Sequence, residues 1–251
     1  MSKITLPTKR GKASKKWEDQ KFFMIGPSKV GKSTFWAGAD KAFFFGLEPR
    51  LGHLNIMTLP VRSWDEFSDI AGELYMAANK GAFPYDTLVV DTVDKLVDRA
   101  DEYVLERINQ QFKKDYGSIG EIPEGRGWFE RKKLLTLALD TLALFPAALV
   151  LVGHSDLKET SGRGSIKKAT TAIGGKLGIE LLGWTDHVLH WEAKYVGETL
   201  RRSMRTLPSE SIDAGSSAGV VPDDFELFND NPRDPNSGMS KCFKKFRALF
   251  D

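Results

Sequence analysis

Apolar positions in this chain gather into short unbroken runs, with stretches of helical period between them. The run KFFMIG at 21–26 ends at a glycine and predicts a buried strand. A helix is expected from near Gly31 to about Gly38, followed by a second apolar run, KAFFFGLE, at 41–48. Ser63 and Glu66 form a capping box in SWDE. The helix behind it should reach about Asn79 with Phe67, Ile70 and Leu74 on one face. TLVVDT at 87–92 predicts another buried strand, and Val93, Leu96, Val97, Val104 and Ile108 then recur at helical spacing. Residues 112–127 carry no such period and predict a loop. A strongly apolar helix over about 128–145 stops at Pro146, and AALVLVGH at 147–154 predicts a fourth buried strand.

Unbroken apolar strands alternating with helices imply strands covered on both sides. The expected class is therefore α/β, with a mostly parallel central sheet and helices on both faces. The pattern changes after residue 154. A loop rich in Gly, Ser and Lys is expected at 155–172. DHVLHWEAK and TLRRSMRTL then predict a C-terminal β-hairpin joined around Gly197. Residues 208–239, rich in Pro, Asp, Ser and Gly, are expected on the surface, and KCFKKFRALF suits a short basic amphipathic helix. The expected organisation is a flexible basic arm at 1–20, a core domain at 21–228, and a linker with a short basic helix at 229–251.

Composition narrows the possibilities. A chain of 251 residues, 41% hydrophobic and 28% charged, is long enough to bury its own core. A single cysteine, Cys242, excludes an intrachain disulfide framework and a cysteine-based zinc site. The longest apolar stretch is interrupted by Asp140 and Pro146, too often for a membrane span. The N-terminus has no signal-peptide core, so a cytoplasmic location is expected and no membrane partner. The net charge is +2, but residues 1–21 hold seven Lys/Arg against two acids, which makes a basic arm on a nearly neutral body.

The chemistry concentrates in GPSKVGKST at 26–34, which matches G-x-x-x-x-G-K-S between a predicted strand and a predicted helix. Gly26, Pro27, Ser28, Lys29, Val30, Gly31, Lys32, Ser33 and Thr34 form this loop. Its glycines let backbone N–H groups turn toward a polyphosphate, and a helix N-terminus adds its positive end. Lys32 supplies a point charge for the β/γ oxygens, and the Ser33 hydroxyl suits Mg²⁺. A second magnesium carboxylate is expected, and Asp91 stands where the apolar strand TLVV ends. Thr92, not an acid, follows it, so the residue that positions the attacking water must lie elsewhere. Glu48 ends the strand after the P-loop helix and should share the ligand edge of a parallel sheet. His154 ends the last core strand, where it could sense the γ-phosphate.

The chain lacks N-K-x-D, H-E-x-x-H, a kinase H-R-D set and G-x-S-x-G, so GTP specificity of the usual kind and those other chemistries are not expected. Beyond His154, residues 156–176 carry Lys158, Arg163, Lys167, Lys168 and Lys176 against Asp156 and Glu159. A basic glycine-rich loop at that place is a candidate contact for a nucleic-acid backbone. The stretch 112–127 adds Lys113, Lys114, Tyr116 and Arg126, a weaker basic-plus-aromatic signal.

The P-loop, Glu48 in GLEPR, LVVDT and VGHSD together resemble a RecA-like P-loop NTPase core. Within that class the chain resembles the phage RecA-like single-strand annealing and recombination ATPases, whose domain is often labelled a phage nucleotide-binding AAA-type domain. The resemblance spans about residues 20–228 and includes RTLPSESIDAGSSAGVVPDDFEL. There the family commonly has a basic residue before the glycine near the proline, where this chain has Ser217 and Ala218. The resemblance implies a Mg²⁺-dependent, DNA-stimulated ATPase that anneals single-stranded DNA. It also implies a homo-oligomer with nucleotide between subunits, Arg202 and Arg205 reaching a neighbour's site, and a single-strand-binding protein as partner. A packaging or assembly ATPase without DNA annealing, or a small-molecule phosphotransferase, would carry the same P-loop.

Overall fold

The computed structural model describes residue 8 and residues 14–159, 167–197, 199–217, 219–227 and 238–250. A 3-10 turn at Trp17–Asp19 leads into β1 (Lys21–Gly26), α1 (Lys32–Trp36), β2 (Ala42–Gly46), β3 (Met57–Pro60) and α2 (Trp64–Asn79). Next come β4 (Thr87–Asp91), α3 (Val93–Phe112), α4 (Arg126–Leu142), β5 (Ala148–Glu159), β6 (Lys167–Thr171) and α5 (Gly175–Trp184). The described chain closes with β7 (His187–Val196), β8 (Thr199–Arg205), β9 (Gly215–Ser216), β10 (Asp224–Leu227) and α6 (Met239–Arg247).

The sheet runs in the order β10-β8-β7-β1-β5-β4-β2-β3, with β6 on β5 and β9 on β7. All pairs from β7 to β3 are parallel, and β8, β10, β6 and β9 add antiparallel pairs. The α/β class expected from the hydrophobic pattern is the one observed. The central strands are unbroken apolar runs because both sheet faces are covered. Phe23, Ile25, Phe45, Val90 and Leu151 face α2, α3, α4 and α5. Phe22, Met24, Phe44, Val89 and Val152 face α1, α6 and Trp17 on the other side.

Several elements differ from the sequence expectation. Trp17 falls in the stretch read as an arm, yet it is 2% exposed and packs on Phe22, Trp36 and Phe250. The tail read as a separate basic helix is α6, amphipathic as expected. It buries Met239, Cys242, Phe243 and Phe246 in the same cluster as Trp17. The loop expected at 155–172 is largely strand. β5 continues to Glu159 and pairs antiparallel with β6, and residues 160–166 lie outside the described residues. The expected loop at 112–127 contains two 3-10 turns and buries Ile119 and Ile122. β3 and α5 were not anticipated. β3 is an edge strand of four residues, all exposed and too few to show a period, and the glycines of α5 hid its helical period. One of them, Gly178, is required by packing, because a Cβ there would lie 2.2 Å from the Ile173 carbonyl oxygen.

Candidate nucleotide site

β1 delivers the P-loop to the C-terminal edge of the sheet. Gly26, its last residue, is in register with His154 of β5, while Asp91 of β4 is in register with Val152 of the same strand. Gly46 of β2 is in register with Asp91, and the Leu47 N–H donates to the Asp91 carbonyl at 3.0 Å. Four adjacent parallel strands thus bring residues distant in sequence to one edge. The resulting cleft, about 580 Å³, is lined by Ser28, Lys29, Gly31, Lys32, Ser33, Thr34, Glu48, Asp91 and His154, among others.

The loop's backbone conformation follows from its residues. Gly31 has φ +100° and Lys29 has φ +61°, both in the left-handed region. Gly26 is needed for a different reason: a Cβ there would stand 2.7 Å from Trp191 Cβ and 2.9 Å from its carbonyl oxygen on β7. Val30 turns inward to the core, and α1 is five residues long, shorter than the expected helix to Gly38. Phe35 and Trp36 of α1 are fully buried, packed edge-on against Phe243 and Phe246 of α6. The loop therefore rests on a rigid aromatic base.

Lys32 is 6% exposed, and its Nζ donates to the carbonyl oxygens of Gly26 at 2.9 Å and Pro27 at 2.7 Å. Burial pushes its pKa down to about 8, against the opposing pull of the Asp91, Asp94 and Glu48 carboxylates. Asp91 is 1% exposed. Burial pushes its carboxyl up to about 6, with Glu48 adding to the rise and the Ser33 hydroxyl, Lys32 and His154 working against it. Its Oδ2 is buried with no hydrogen-bond partner. A buried carboxylate oxygen left unpaired is costly. Paired with the Ser33 hydroxyl, it makes a hard-oxygen donor set that fits Mg²⁺.

Glu48 lies just past β2, half-buried at the start of a 3-10 turn over Pro49–His53, and faces the same cleft. His154 is held by Asp94, whose Oδ2 accepts from the His154 N–H at 2.9 Å and lies 3.2 Å from His154 Nδ1. Asp94 was not foreseen as part of the site. Neither were Arg50, His53, Lys95 and Arg99, which complete the basic side of the cleft.

A family model described as AAA domain (AAA_24) matches residues 18–218. The chain belongs to this AAA domain family. The SPbeta prophage-derived uncharacterized protein YorG of Bacillus subtilis (strain 168) is similar, with 26% identity over 130 residues covering 50% of this chain. The chain spans only 40% of that protein's length. A crystal structure of a KaiC-like protein from Pyrococcus horikoshii OT3 overlaps 87% of this chain and 88% of its own, with a TM-score of 0.44 and 14% identity. Within the described residues of this AAA domain, no helix is long and apolar enough to cross a membrane.

The residues singled out as DNA contacts separate in space. Lys168 pairs with Asp213 at 2.5 Å, and Lys158 Nζ donates to the Thr171 carbonyl at 3.1 Å. Both are held within the β5–β6 hairpin and its neighbour, while Lys167 and Lys176 are exposed. Arg163 lies outside the described residues. A groove of about 870 Å³ between α3, α4 and the start of α5 was missed from sequence. It presents Trp128 (48% exposed) and Phe129 (64% exposed), with Arg131, Lys132 and Lys176 on its walls. The Arg131 guanidinium lies 4.6 Å from the Trp128 ring centroid. Two adjacent aromatics at the start of α4, followed by charged residues, were the available signal.

Arg202 and Arg205 lie on β8, away from this chain's own cleft. Arg202 is 5% exposed and lines, with Arg205, a pocket on the outer strands of the sheet. Arg205 is half-buried and lies 3.8 Å from Glu192.

Proposed function

We propose that this AAA domain hydrolyses ATP with Mg²⁺ and couples turnover to single-stranded DNA, pairing or annealing strands. The observation that carries the reading is one strand: β5 passes from His154 in the nucleotide cleft directly into the β5–β6 hairpin. Ser33 and Asp91 would hold the magnesium ion, which supplies charge neutralisation at the phosphates when bound. Lys32 leaves the Gly26 and Pro27 carbonyls to meet the phosphate oxygens. Glu48 orients the attacking water and takes its proton, and closed packing of the loop on α1 keeps the geometry fixed. Arg205 of a neighbouring copy completes the site in the assembled state.

The DNA is read by its backbone and its stacking faces rather than by base edges. Lys167 and Lys176 meet phosphates, and Trp128 and Phe129 give bases a surface to stack on. The test measures ATP hydrolysis with and without single-stranded DNA, and DNA binding across a salt series. The double variant Lys167→Ala/Lys176→Ala should flatten the log–log salt slope by about one to two units. Lys168→Ala, whose partner is Asp213, should change it less. Hydrolysis indifferent to DNA would replace this reading with that of a packaging or assembly ATPase, and γ-phosphate appearing on an acceptor would replace it with a phosphotransferase.

A further inference from the structure

One carboxylate oxygen makes two contacts with one residue. Asp94 Oδ2 accepts from the backbone N–H of His154 and lies within hydrogen-bond distance of its Nδ1, at 2.9 and 3.2 Å. An ionised carboxylate can only accept, so the contact with Nδ1 requires a proton on that nitrogen. The His154 carbonyl is also engaged, accepting from the Ala172 N–H at 2.9 Å across the hairpin base. Backbone and ring are thus both fixed, Nε2 is the ring's remaining polar atom, and His154 lines the nucleotide cleft. Asp94 itself is anchored in the first turn of α3, three residues beyond Asp91.

We propose that Asp94 is a positioning residue: it sets the Nδ1–H tautomer and the orientation of His154, and thereby presents Nε2 to the cleft. The inference rests on the reading of the cleft as an ATP site, but the tautomer itself can be measured in the free protein. A carboxylate that fixes an imidazole's tautomer from behind is a known physical device; where the histidine ligates a metal, its loss costs about ten- to a hundred-fold in metal affinity or activity.

The chain has four histidines, so long-range ¹H–¹⁵N spectra of the ring nitrogens are tractable, with His154→Gln supplying the assignment. His187 gives an internal contrast. Its Nε2 lies 3.0 Å from Gln20 Oε1 and its Nδ1 lies 2.9 Å from Ser216 Oγ, which selects the opposite, Nε2–H, tautomer. His154 should show the Nδ1–H pattern in the wild type and in Asp94→Asn, whose amide oxygen can accept both contacts. Asp94→Ala should lose that pattern. In ATP hydrolysis, Asp94→Ala should lower kcat about ten- to a hundred-fold with KM within about twofold, and Asp94→Asn should restore most of kcat. Thermal unfolding of each variant separates this from misfolding.

An Nε2–H pattern at His154 in the wild type would overturn the inference, as would an Asp94→Ala variant with unchanged tautomer and kcat. So would an Asp94→Asn variant that keeps the tautomer but turns over as poorly as Asp94→Ala. If the wild type hydrolyses no ATP, the functional reading fails, and the tautomer measurement alone then decides the role of Asp94.

Discussion

Acid should unfold this protein through His187. The ring is fully buried on β7, stacked on Phe22 at 4.9 Å, and bonded on both nitrogens to neutral groups. Burial pushes its pKa down to about 4 from 6.5, with Asp186 opposing. The unfolded chain therefore binds more protons than the folded one between about pH 6.5 and pH 4. Stability is complete above that window and falls as pH drops through it. A displacement from 6.5 to about 4 corresponds to roughly 3 kcal/mol in full, of which about 2 kcal/mol is lost by pH 5. His190, also lowered by burial, adds to the same trend, so the perturbation must isolate one ring. Chemical denaturation of the wild type and His187→Gln at pH 7, 6 and 5 does so. The wild type should lose about 2 kcal/mol more than the variant between pH 7 and 5. Parallel pH profiles, or a His187 ring that titrates near 6.5 in the folded protein, would refute the reasoning. β7 flanks β1, the strand that carries the P-loop, so nucleotide binding should fail over the same range.

Lys32→Ala should abolish ATP turnover, because no other cation in the loop is buried beside the Gly26 and Pro27 carbonyls; near-wild-type turnover would sink the P-loop assignment. Glu48→Gln should retain ATP binding, measured by calorimetry, and lose turnover by about 10²-fold or more. Gly26→Ala should lower stability by about 1–3 kcal/mol, since the new Cβ meets Trp191 on the adjacent strand, and unchanged thermal unfolding would count against that close approach. Arg205→Ala should hydrolyse poorly, and mixing it with Glu48→Gln should restore activity by forming some intact shared sites. No rescue in mixtures shown to co-assemble would exclude a neighbour's Arg205.

How far the sequence speaks depends on where the partners of each residue come from. The P-loop is contiguous, so its glycines, Lys32 and Ser33 carry their meaning in one stretch of chain. Asp91, Glu48 and His154 are legible by a second route. Each ends an apolar run, and parallel strands bring their C-terminal ends to one edge. The Asp94–His154 contact needs more, namely the register that sets β5 between β1 and β4, and no local pattern encodes that. The hairpin lysines show the same limit in reverse. Counting charges along 156–176 treats five cations as equivalent, but Asp213 arrives from beyond β8 to pair with Lys168, and Thr171 takes Lys158. A cation already satisfied within the fold gains little from a phosphate that must displace its partner. The exposed pair Lys167 and Lys176 therefore carries the argument for a nucleic-acid surface, and the count of five does not. Trp17 and α6 follow the same logic on the opposite face. Each is a short apolar signal beside basic residues, and only the packing of Phe22, Trp36, Phe243 and Phe246 against them makes both part of the floor beneath the P-loop.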